Sequence, residues 1–172
     1  MKVYNVHERT FSVGADQVGD LLETLASDDD KLWPHEKWPA MRLKGGITPG
    51  SWGGHGPVRY TVAAHEEKRL VVLEFSSPRG FIGHHRYEVE EVSDSETVLR
   101  HVIEMRVTGM ALITWPLAFW PLHDALMEDS LNKAAINLGQ APEPVRWSLG
   151  VRLLRGFFAI FGGKEPDPSR VQ

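Results

Sequence analysis

Four segments typical of β-strands follow one another closely in this chain, and this run constrains the fold more than any other sequence feature. They span residues 57–66, 69–76, 81–92 and 96–109. Glu67 and Lys68 alone separate the first two, and the turn sequence Ser93–Ser95 separates the last two. A parallel pair of strands needs a crossover of about a dozen residues or more, so these short connections predict an antiparallel meander.

The segments before the meander predict a further strand, a helix and a loop. Residues 2–11 contain β-branched positions typical of a strand. Ser12–Ala26 repeats apolar residues at helical spacing, with Asp16 as a candidate N-cap. Gly45–Gly56 holds six glycines and one proline, which predicts a flexible loop or a mobile lid.

A long helix is predicted after the meander. Its most regular part is Pro121–Leu138, and Gly139 is a typical stop signal. An antiparallel sheet with one apolar face must be covered, and this helix is the only predicted element large enough. The sequence therefore predicts an α+β fold in which a curved antiparallel sheet wraps around a long C-terminal helix. We predict that residues 1–139 form this domain and that residues 140–172 form a proline-flanked amphipathic helix and a polar tail.

Composition excludes several classes of function. The length of 172 residues favours a single domain, and the net charge of -4 argues against nucleic acid as a partner. The chain has no cysteine, which excludes disulfides and thiolate metal sites and fits a cytoplasmic setting. The first residues lack the apolar core of a signal peptide, and no charge-free stretch reaches the roughly 18 residues of a membrane span.

The order of these elements resembles that of the START/SRPBCC helix-grip superfamily, which includes polyketide cyclase/dehydrase-like proteins. The resemblance is carried by the opening strand running through Phe11–Ala15 into helix Val18–Leu25, then by Trp33, the meander and the terminal helix Pro121–Leu131. It implies an apolar cavity of the kind that holds lipids, polyketides or hormones. Only some members of the superfamily are enzymes, and the segment after Gly139 lies outside the family pattern.

Strand alternation predicts which side chains face such a cavity. The inward sets are Leu99, His101, Ile103, Met105 and Val107 in one strand, and Phe81, Gly83, His85, Tyr87 and Val89 in its neighbour. Pairing Val92 with Glu96 across the turn keeps both apolar faces on one side of the sheet. This register predicts two facing pairs, Tyr87 with His101 and His85 with Ile103.

The long helix is expected to supply the opposite wall, along a line that contains Trp120, His123 and Met127. The candidate ligand-binding residues are Tyr87, His85, His101, Ile103, Met105, Trp120, His123 and Met127. We predict that Tyr87, His101, Ile103, Met105 and Met127 line a cavity of at least about 300 Å³.

Three roles remain open for the polar group formed by Tyr87, His85 and His101. These side chains could orient a bound hydrophobic or amphipathic small molecule, or act as acid and base in a cyclase or dehydratase. They could also satisfy one another in an ordinary core. Binding of a small hydrophobic or amphipathic molecule is the first interpretation of the function. The alternatives are a cyclase or dehydratase that uses the same cavity, and an interaction module that docks through its C-terminal amphipathic helix.

Metal and cofactor binding are not predicted. His84 and His85 point to opposite faces of a strand, and His123 has no second histidine at helical spacing. The glycine-rich segment Gly45–Gly56 lacks the Gly-Lys-Ser/Thr end of a phosphate-binding loop. The sequence therefore predicts neither a metal ion nor a cofactor.

The segment 147–161 is the most distinctive part outside the family pattern. A helix there carries one broad apolar face made of Trp147, Leu149, Val151, Leu153, Leu154, Phe157, Phe158, Ile160 and Phe161. Arg152 and Arg155 fall on the opposite side. Such a face needs a partner surface, and three remain open: its own domain, a second copy in a homodimer, or a membrane surface. The polar composition of residues 162–172 predicts a disordered tail.

Overall fold

The computed structural model describes the backbone of residues 1–161 and the side chains of residues 1–156. The strands in this part are β1 (Lys2–Phe11), β2 (Arg42–Leu43), β3 (Trp52–His55), β4 (Val58–Glu66), β5 (Leu70–Ser77), β6 (Phe81–Ser93) and β7 (Glu96–Val107). The helices are α1 (Ala15–Glu23), α2 (Ala111–Thr114), α3 (Trp120–Asn137) and α4 (Leu149–Phe161), and a π-helical turn, Trp115–Phe119, joins α2 to α3. The predicted polar tail lies outside the described residues.

The seven strands form one antiparallel sheet in the order β1-β7-β6-β5-β4-β3-β2. The four central strands are the predicted meander, and β1 returns to pair with β7 along its whole length. The curved sheet packs against α3, whose Met127 and Leu131 are buried with sheet residues in the core. The predicted α+β fold, with a curved sheet around a long helix, is confirmed.

The prediction of a flexible loop at Gly45–Gly56 was wrong at its C-terminal end. There β3 pairs with β2 on one side and β4 on the other, which extends the sheet by two strands. A Cβ atom on Gly53 would lie 1.9 Å from the carbonyl oxygen of Arg42. The glycine therefore permits a close approach of two strands, a role that looks the same in the sequence as flexibility.

The start of α1 also differs from the prediction. Its N-cap is Gly14, which has no side chain to make a capping hydrogen bond, and Asp16 lies inside the first turn. A carboxylate in that position still interacts favourably with the partial positive charge of the helix N-terminus.

Local irregularities bend the sheet around α3. Gly83, the third residue of β6, has a φ of 141°, and a Cβ atom there would lie 2.3 Å from the carbonyl oxygen of Glu104. Register shifts interrupt the pairing of β4 with β5 between Arg59 and Tyr60 and between Val62 and Ala64. Bulges of this kind increase strand twist and bending, so these positions account for much of the curvature.

Two prolines explain the π-helical turn that precedes α3. Pro116 and Pro121 lack the N–H that would donate to the preceding turn, and a proline ring inside an α-helix clashes with the carbonyl one turn earlier. Pro116 is the second residue of the wider turn Trp115–Phe119 and Pro121 is the second residue of α3, and the wider turn lets the chain continue as a helix from one proline to the next. Such single π-helical turns occur often at functional sites.

Buried apolar side chains form two clusters. The larger core joins α1, α3 and the sheet and includes Leu22, Trp33, Tyr60, Leu73, Tyr87, Leu99, Met127 and Leu131. The smaller core lies where β1, β6, β7 and α2 meet and includes Val3, Phe81, Ile103, Met105, Val107, Ala111 and Trp115. Phe75 and Phe119 pack against both.

The first turns of the C-terminal helix pack on the same domain. Trp147 stacks edge-to-face on Trp38 and donates a 3.0 Å hydrogen bond to Asp129. Arg155 lies over both indole rings and donates to the carbonyl oxygen of Lys37. The expectation that Arg155 points away from the partner surface was therefore wrong, since its guanidinium lies on the contacting side through cation–π contacts.

The outward side of α4 carries Leu149 and Leu153, both largely exposed. The side chains of Phe157, Phe158, Ile160 and Phe161, also assigned to the apolar face, lie outside the described residues. Within the part of the chain that is described, no helix is both long and apolar enough to cross a membrane.

Candidate functional site

The paired strands β6 and β7 have the predicted register. Tyr87 lies opposite His101, and His85 lies opposite Ile103. At the turn itself Ser93 pairs with Glu96, and Val92 is an extra residue in a bulge. The predicted pairing of Val92 with Glu96 was therefore wrong, but the bulge confines the shift to the turn and leaves the register beyond it unchanged.

The inward side chains of these strands bring three ring systems together against α3. The Nδ1 atom of His85 lies 3.0 Å from the Nε2 atom of His101, a hydrogen-bond distance. The ring of His101 is 4.7 Å from that of Tyr87 and 5.0 Å from that of His123 on α3. Residues from β6, β7 and α3 thus form one contacting layer, which we call the histidine layer.

Two residues not identified from the sequence extend the histidine layer across the sheet. His55 on β3 lies 3.1 Å from the hydroxyl of Tyr60 on β4, and the ring of Tyr60 is 5.0 Å from that of His85. Alternation in β4, with Val58, Tyr60 and Val62 on one face, was the signal for Tyr60. His55 was hidden by its glycine neighbours, which made the segment look like a loop.

A third residue not identified from the sequence, His7, closes the other end of the layer. It lies opposite His101 on the neighbouring strand β1, and its ring is 5.6 Å from that of His123. Its Nε2 atom is 3.0 Å from Asp124 and its Nδ1 atom is 3.1 Å from Glu128. Burial by itself lowers the pKa of His7, but the hydrogen bonds to Asp124 and Glu128 outweigh it and raise the pKa. His7 is thus an imidazolium held between two carboxylates.

The hydroxyl of Tyr87 is engaged in the core. It donates to the hydroxyl of Ser130 at 3.0 Å, and Ser130 in turn donates to the carbonyl oxygen of Leu32. Tyr87 therefore anchors β6 to α3 through its hydroxyl. Within the site it contributes only its ring, which packs against His101.

Several polar atoms of the histidine layer have no hydrogen-bond partner among the described residues. They are Nε2 of His85, Nδ1 of His101, both ring nitrogens of His123, and Oδ1 of the adjacent Asn5. Nδ1 of His123 is 3.7 Å from Asp124, which is too far for a hydrogen bond. Buried polar groups without partners are uncommon in proteins, so a group of them in one layer indicates a site for a polar ligand atom.

Burial keeps these imidazoles uncharged. It lowers the pKa of His85 and His101 well below 6.5, and it lowers the pKa of His55 to about 3. It also lowers the pKa of His123 and raises that of Tyr60 and Tyr87. At neutral pH these four histidines offer neutral hydrogen-bond donors and acceptors, and the charge at this site is confined to His7 and its carboxylate partners.

The predicted cavity wall is not open in this structure. Tyr87, His101, Ile103, Met105 and Met127 are all buried, with 5% exposure or less. Neither of two surface cavities in the described part of the chain, of about 480 and 70 Å³, is lined by any of these five residues. Their side chains pack against neighbouring rings and helices, because the histidine layer occupies the space between sheet and helix.

The placement of Trp120 on the inner wall was wrong. Its side chain is 47% exposed, whereas His123 and Met127, which share its predicted helix line, face the sheet. Trp120 is the first residue of α3 and the four residues after it are only partly buried, so this end of the helix is less covered by the sheet than Met127 is.

One group of side chains could supply ligands to a metal ion. Donor atoms of His7, His123 and Asp124 all lie within 4.8 Å of one another. In the structure His7 already makes hydrogen bonds to Asp124 and Glu128, and a metal ion would have to displace its proton. In this structure the group is therefore an imidazolium, His7, paired with the carboxylates of Asp124 and Glu128.

No family model matches this chain, and no curated protein matches its sequence. Solved structures do share its fold. A protein from Thermobifida fusca has a TM-score of 0.61 at 15% identity, with 83% of this chain and 99% of that one covered. Norcoclaurine synthase from Thalictrum flavum has a TM-score of 0.58 at 18% identity, with coverages of 81% and 97%. CalU16 from Micromonospora echinospora has a TM-score of 0.57 at 12% identity, with coverages of 94% and 88%. At these identities the likeness shows the helix-grip fold alone.

Proposed function

We propose that this protein binds a small, uncharged and mainly apolar molecule between the sheet and the N-terminal half of α3. The observation that supports this function is the set of buried ring nitrogens of His85, His101 and His123 that have no partner among the described residues. A buried polar group left without a hydrogen bond costs about 1–3 kcal/mol. A hydroxyl or carbonyl group on a ligand would supply the partner and remove this cost.

The surroundings of the layer define the chemical class of the ligand. The larger and the smaller core flank the histidine layer and offer only apolar contacts to the body of a ligand. Burial keeps His85 and His101 neutral, so a charged ligand group would lose its hydration without gaining a counter-charge. A lipid-like or polyketide-like molecule with one neutral polar group fits both conditions.

The start of α3 is the proposed entrance. Residues 121–125 are only partly buried, whereas Leu126 and Met127 are fully packed in the core. The π-helical turn before α3 supplies a natural hinge for this part of the helix. Binding then moves the first turn of α3 away from β1 and opens the layer between helix and sheet.

A cyclase or dehydratase that uses the same site is the alternative, and the fold is compatible with it. Norcoclaurine synthase, which shares the fold, has been solved with dopamine and hydroxybenzaldehyde. A general acid or base works best when its pKa lies near the working pH. Burial moves the pKa of His85 and His101 well below that range, so we favour ligand binding over acid–base catalysis at these two residues.

We expect the gently purified protein to retain an organic molecule that native mass spectrometry detects. An uncharged ligand at 100 times its dissociation constant should also stabilise the fold by about 2.7 kcal/mol, measurable as a rise in melting temperature. Panels of long-chain alcohols and ketones are suitable probes. Protein that carries no organic mass and whose melting temperature no member of such a panel raises would contradict the proposal.

The double variant His85→Leu/His101→Leu separates binding from folding. Replacing both members of a buried hydrogen-bonded pair by apolar groups is nearly neutral or stabilising. We therefore expect this variant to fold with at least the stability of the parent while it loses retention of the polar-headed ligand. The matched control is His65→Gln, since His65 bonds to Glu23 at 2.9 Å outside the layer. Equal retention in the parent, the double variant and the control would exclude the histidine layer as the site.

A further inference from the structure

An exposed apolar strip lies at one end of the molecule, on the segment that joins β7 to α3. Its members are Met110, Leu112, Ile113, Leu117 and Trp120, each between 46% and 70% exposed. Four of the five follow one another at spacings of three and four residues, so they neighbour one another along a helical surface. Scattered exposed apolar residues are ordinary, but a contiguous strip marks an interaction surface.

Packing within the domain does not account for the strip. The same segment already contributes Ala111 and Trp115 to the smaller core, on its inner side. Residues 107–123 contain no Asp, Glu, Lys or Arg, so the outer side carries none of the charges that normally cover a surface helix. The segment is apolar on both sides, and its outer side faces solvent.

Positive side chains stand on the strand ends beside the strip. Lys2 on β1 pairs with Arg106 on β7, and Arg79 precedes Gly80, whose carbonyl accepts from Thr108 at the start of the segment. All three cations are exposed and form no ion pair with any described residue. Residues 1–7, 75–85 and 105–123 contain no Asp or Glu, so all 23 carboxylates of the chain lie elsewhere. The net charge of -4 thus conceals a strongly basic end.

We propose that this end docks on the surface of an anionic phospholipid membrane. The apolar strip enters the headgroup region, where tryptophan side chains such as Trp120 are favoured, and Lys2, Arg79 and Arg106 lie against lipid phosphates. The excess of carboxylates on the remainder of the chain turns the opposite end away from a negative surface. Docking of this kind stands independently of the ligand proposed above.

Charge decides between a membrane and a second copy of the chain. A two-fold contact through this end would bring two sets of Lys2, Arg79 and Arg106 together, and the carboxylates that border this end, Glu104 and Asp124, are already paired with Arg86 and His7. An anionic lipid surface supplies the missing charge and covers the apolar strip in the same contact.

The test is sedimentation of the full chain with vesicles of phosphatidylcholine, alone or mixed with phosphatidylglycerol. We expect tight binding to the mixed vesicles, weaker binding to phosphatidylcholine alone, and weakening by added salt. Ile113→Ser and Leu117→Ser should each reduce the affinity about tenfold or more, because each removes a buried aliphatic side chain from the contact. Arg79→Glu and Arg106→Glu should each reduce affinity for the mixed vesicles about fivefold or more, with little effect on phosphatidylcholine alone.

Matched controls lie on other surfaces of the same molecule. Ile136→Ser removes an aliphatic side chain that is 61% exposed near the far end of α3, and Arg69→Glu reverses a cation at the turn between β4 and β5. Both should bind the mixed vesicles like the parent. Leu149 and Leu153 on α4 form a second exposed apolar surface that could bind vesicles instead of the strip. The variant Leu149→Ser/Leu153→Ser tests this second surface.

Four results would overturn the proposal. The parent chain does not sediment with mixed vesicles, or the control variants lose binding as much as the strip variants do. The variant Leu149→Ser/Leu153→Ser abolishes binding while the strip variants leave it intact. The fourth result is that the parent sediments as a dimer in analytical ultracentrifugation and that Leu117→Ser converts it to a monomer. That result would assign the strip to a contact between two copies of the chain.

Discussion

Acidification is expected to unfold this protein steeply, with the free energy of unfolding falling by about 4 kcal/mol for each pH unit below about pH 6. The cause is the burial of His55, His85 and His101, which lowers the pKa of all three below the value of 6.5 that holds in an unfolded chain. The unfolded state then binds about three more protons than the folded state. A domain at the lower end of the ordinary range of stability, with a free energy of unfolding of about 5–8 kcal/mol, would unfold near pH 4 to 5.

The sign of this effect follows from the direction of the pKa shifts. A lowered folded-state pKa gives a stabilising contribution that is complete above the unfolded pKa of 6.5 and is lost as the pH falls toward the folded value. His7 acts in the opposite sense. Its pKa is raised by Asp124 and Glu128, so its contribution is present below pH 6.5 and is lost as the pH rises. His7 therefore offsets part of the effect of His55, His85 and His101 in acid, whereas His123, whose pKa burial lowers against the opposing effect of Asp124, adds to it.

Urea unfolding followed by circular dichroism across a pH series measures this slope directly. The double variant His85→Leu/His101→Leu should reduce the slope to about one third, since one of three buried histidines remains. The control variant His65→Gln should leave it unchanged. A slope that corresponds to one proton or fewer in the parent protein would show that the histidine layer is not held neutral in the folded state.

The largest single-residue loss of stability is expected for Asp129→Ala, at about 3–5 kcal/mol. Asp129 on α3 is only 3% exposed and accepts three hydrogen bonds: 2.7 Å from Lys37, 2.9 Å from the indole of Trp38 and 3.0 Å from that of Trp147. Alanine leaves all three donors without this acceptor, and two of them are indole N–H groups in a packed interface. Chemical denaturation measures the loss.

The same substitution should detach the C-terminal segment, because Asp129 joins Trp147 to the body of the domain. Limited proteolysis should then cleave between residues 140 and 150 faster in the variant than in the parent, at matched folded fractions. Asp28→Ala is the control, since Asp28 pairs with Arg42 at 3.1 Å on the surface and exposed ion pairs contribute about 0–1 kcal/mol. Equal losses of unfolding free energy and equal cleavage rates for the two variants would show that the carboxylate of Asp129 does not attach the C-terminal segment to the domain.

The fold was predictable because its main features depend on local patterns. The short connection Ser93–Ser95 and the period-two alternation of β6 and β7 were sufficient to predict that Tyr87 faces His101. The helix over Pro121–Leu138 was also recognisable, within two residues at each end, from its apolar spacing and from Gly139. In each case the residues that predict the element lie in the element itself or within a few residues of it.

The C-terminal helix and the glycine-rich segment were less predictable for a physical reason. The sequence of 147–161 shows that an apolar helix needs a partner. Only the positions of Trp38, in a distant part of the chain, and of Asp129, on α3, determine where its first turns pack. In the sequence Gly53 likewise indicates only a flexible segment. A glycine is necessary there because the carbonyl oxygen of Arg42 lies where a Cβ atom would be.

By itself, then, the sequence determined the antiparallel meander, its register, the covering helix and the inward placement of His85, His101 and His123. Only the tertiary structure decided that His7 and His55 join them, and that the site is filled by packed rings. Pairing between distant segments, such as β1 with β7, has no periodicity of its own in the sequence. How completely an interior is filled depends on the summed volumes and rotamers of all its side chains, which no local pattern specifies.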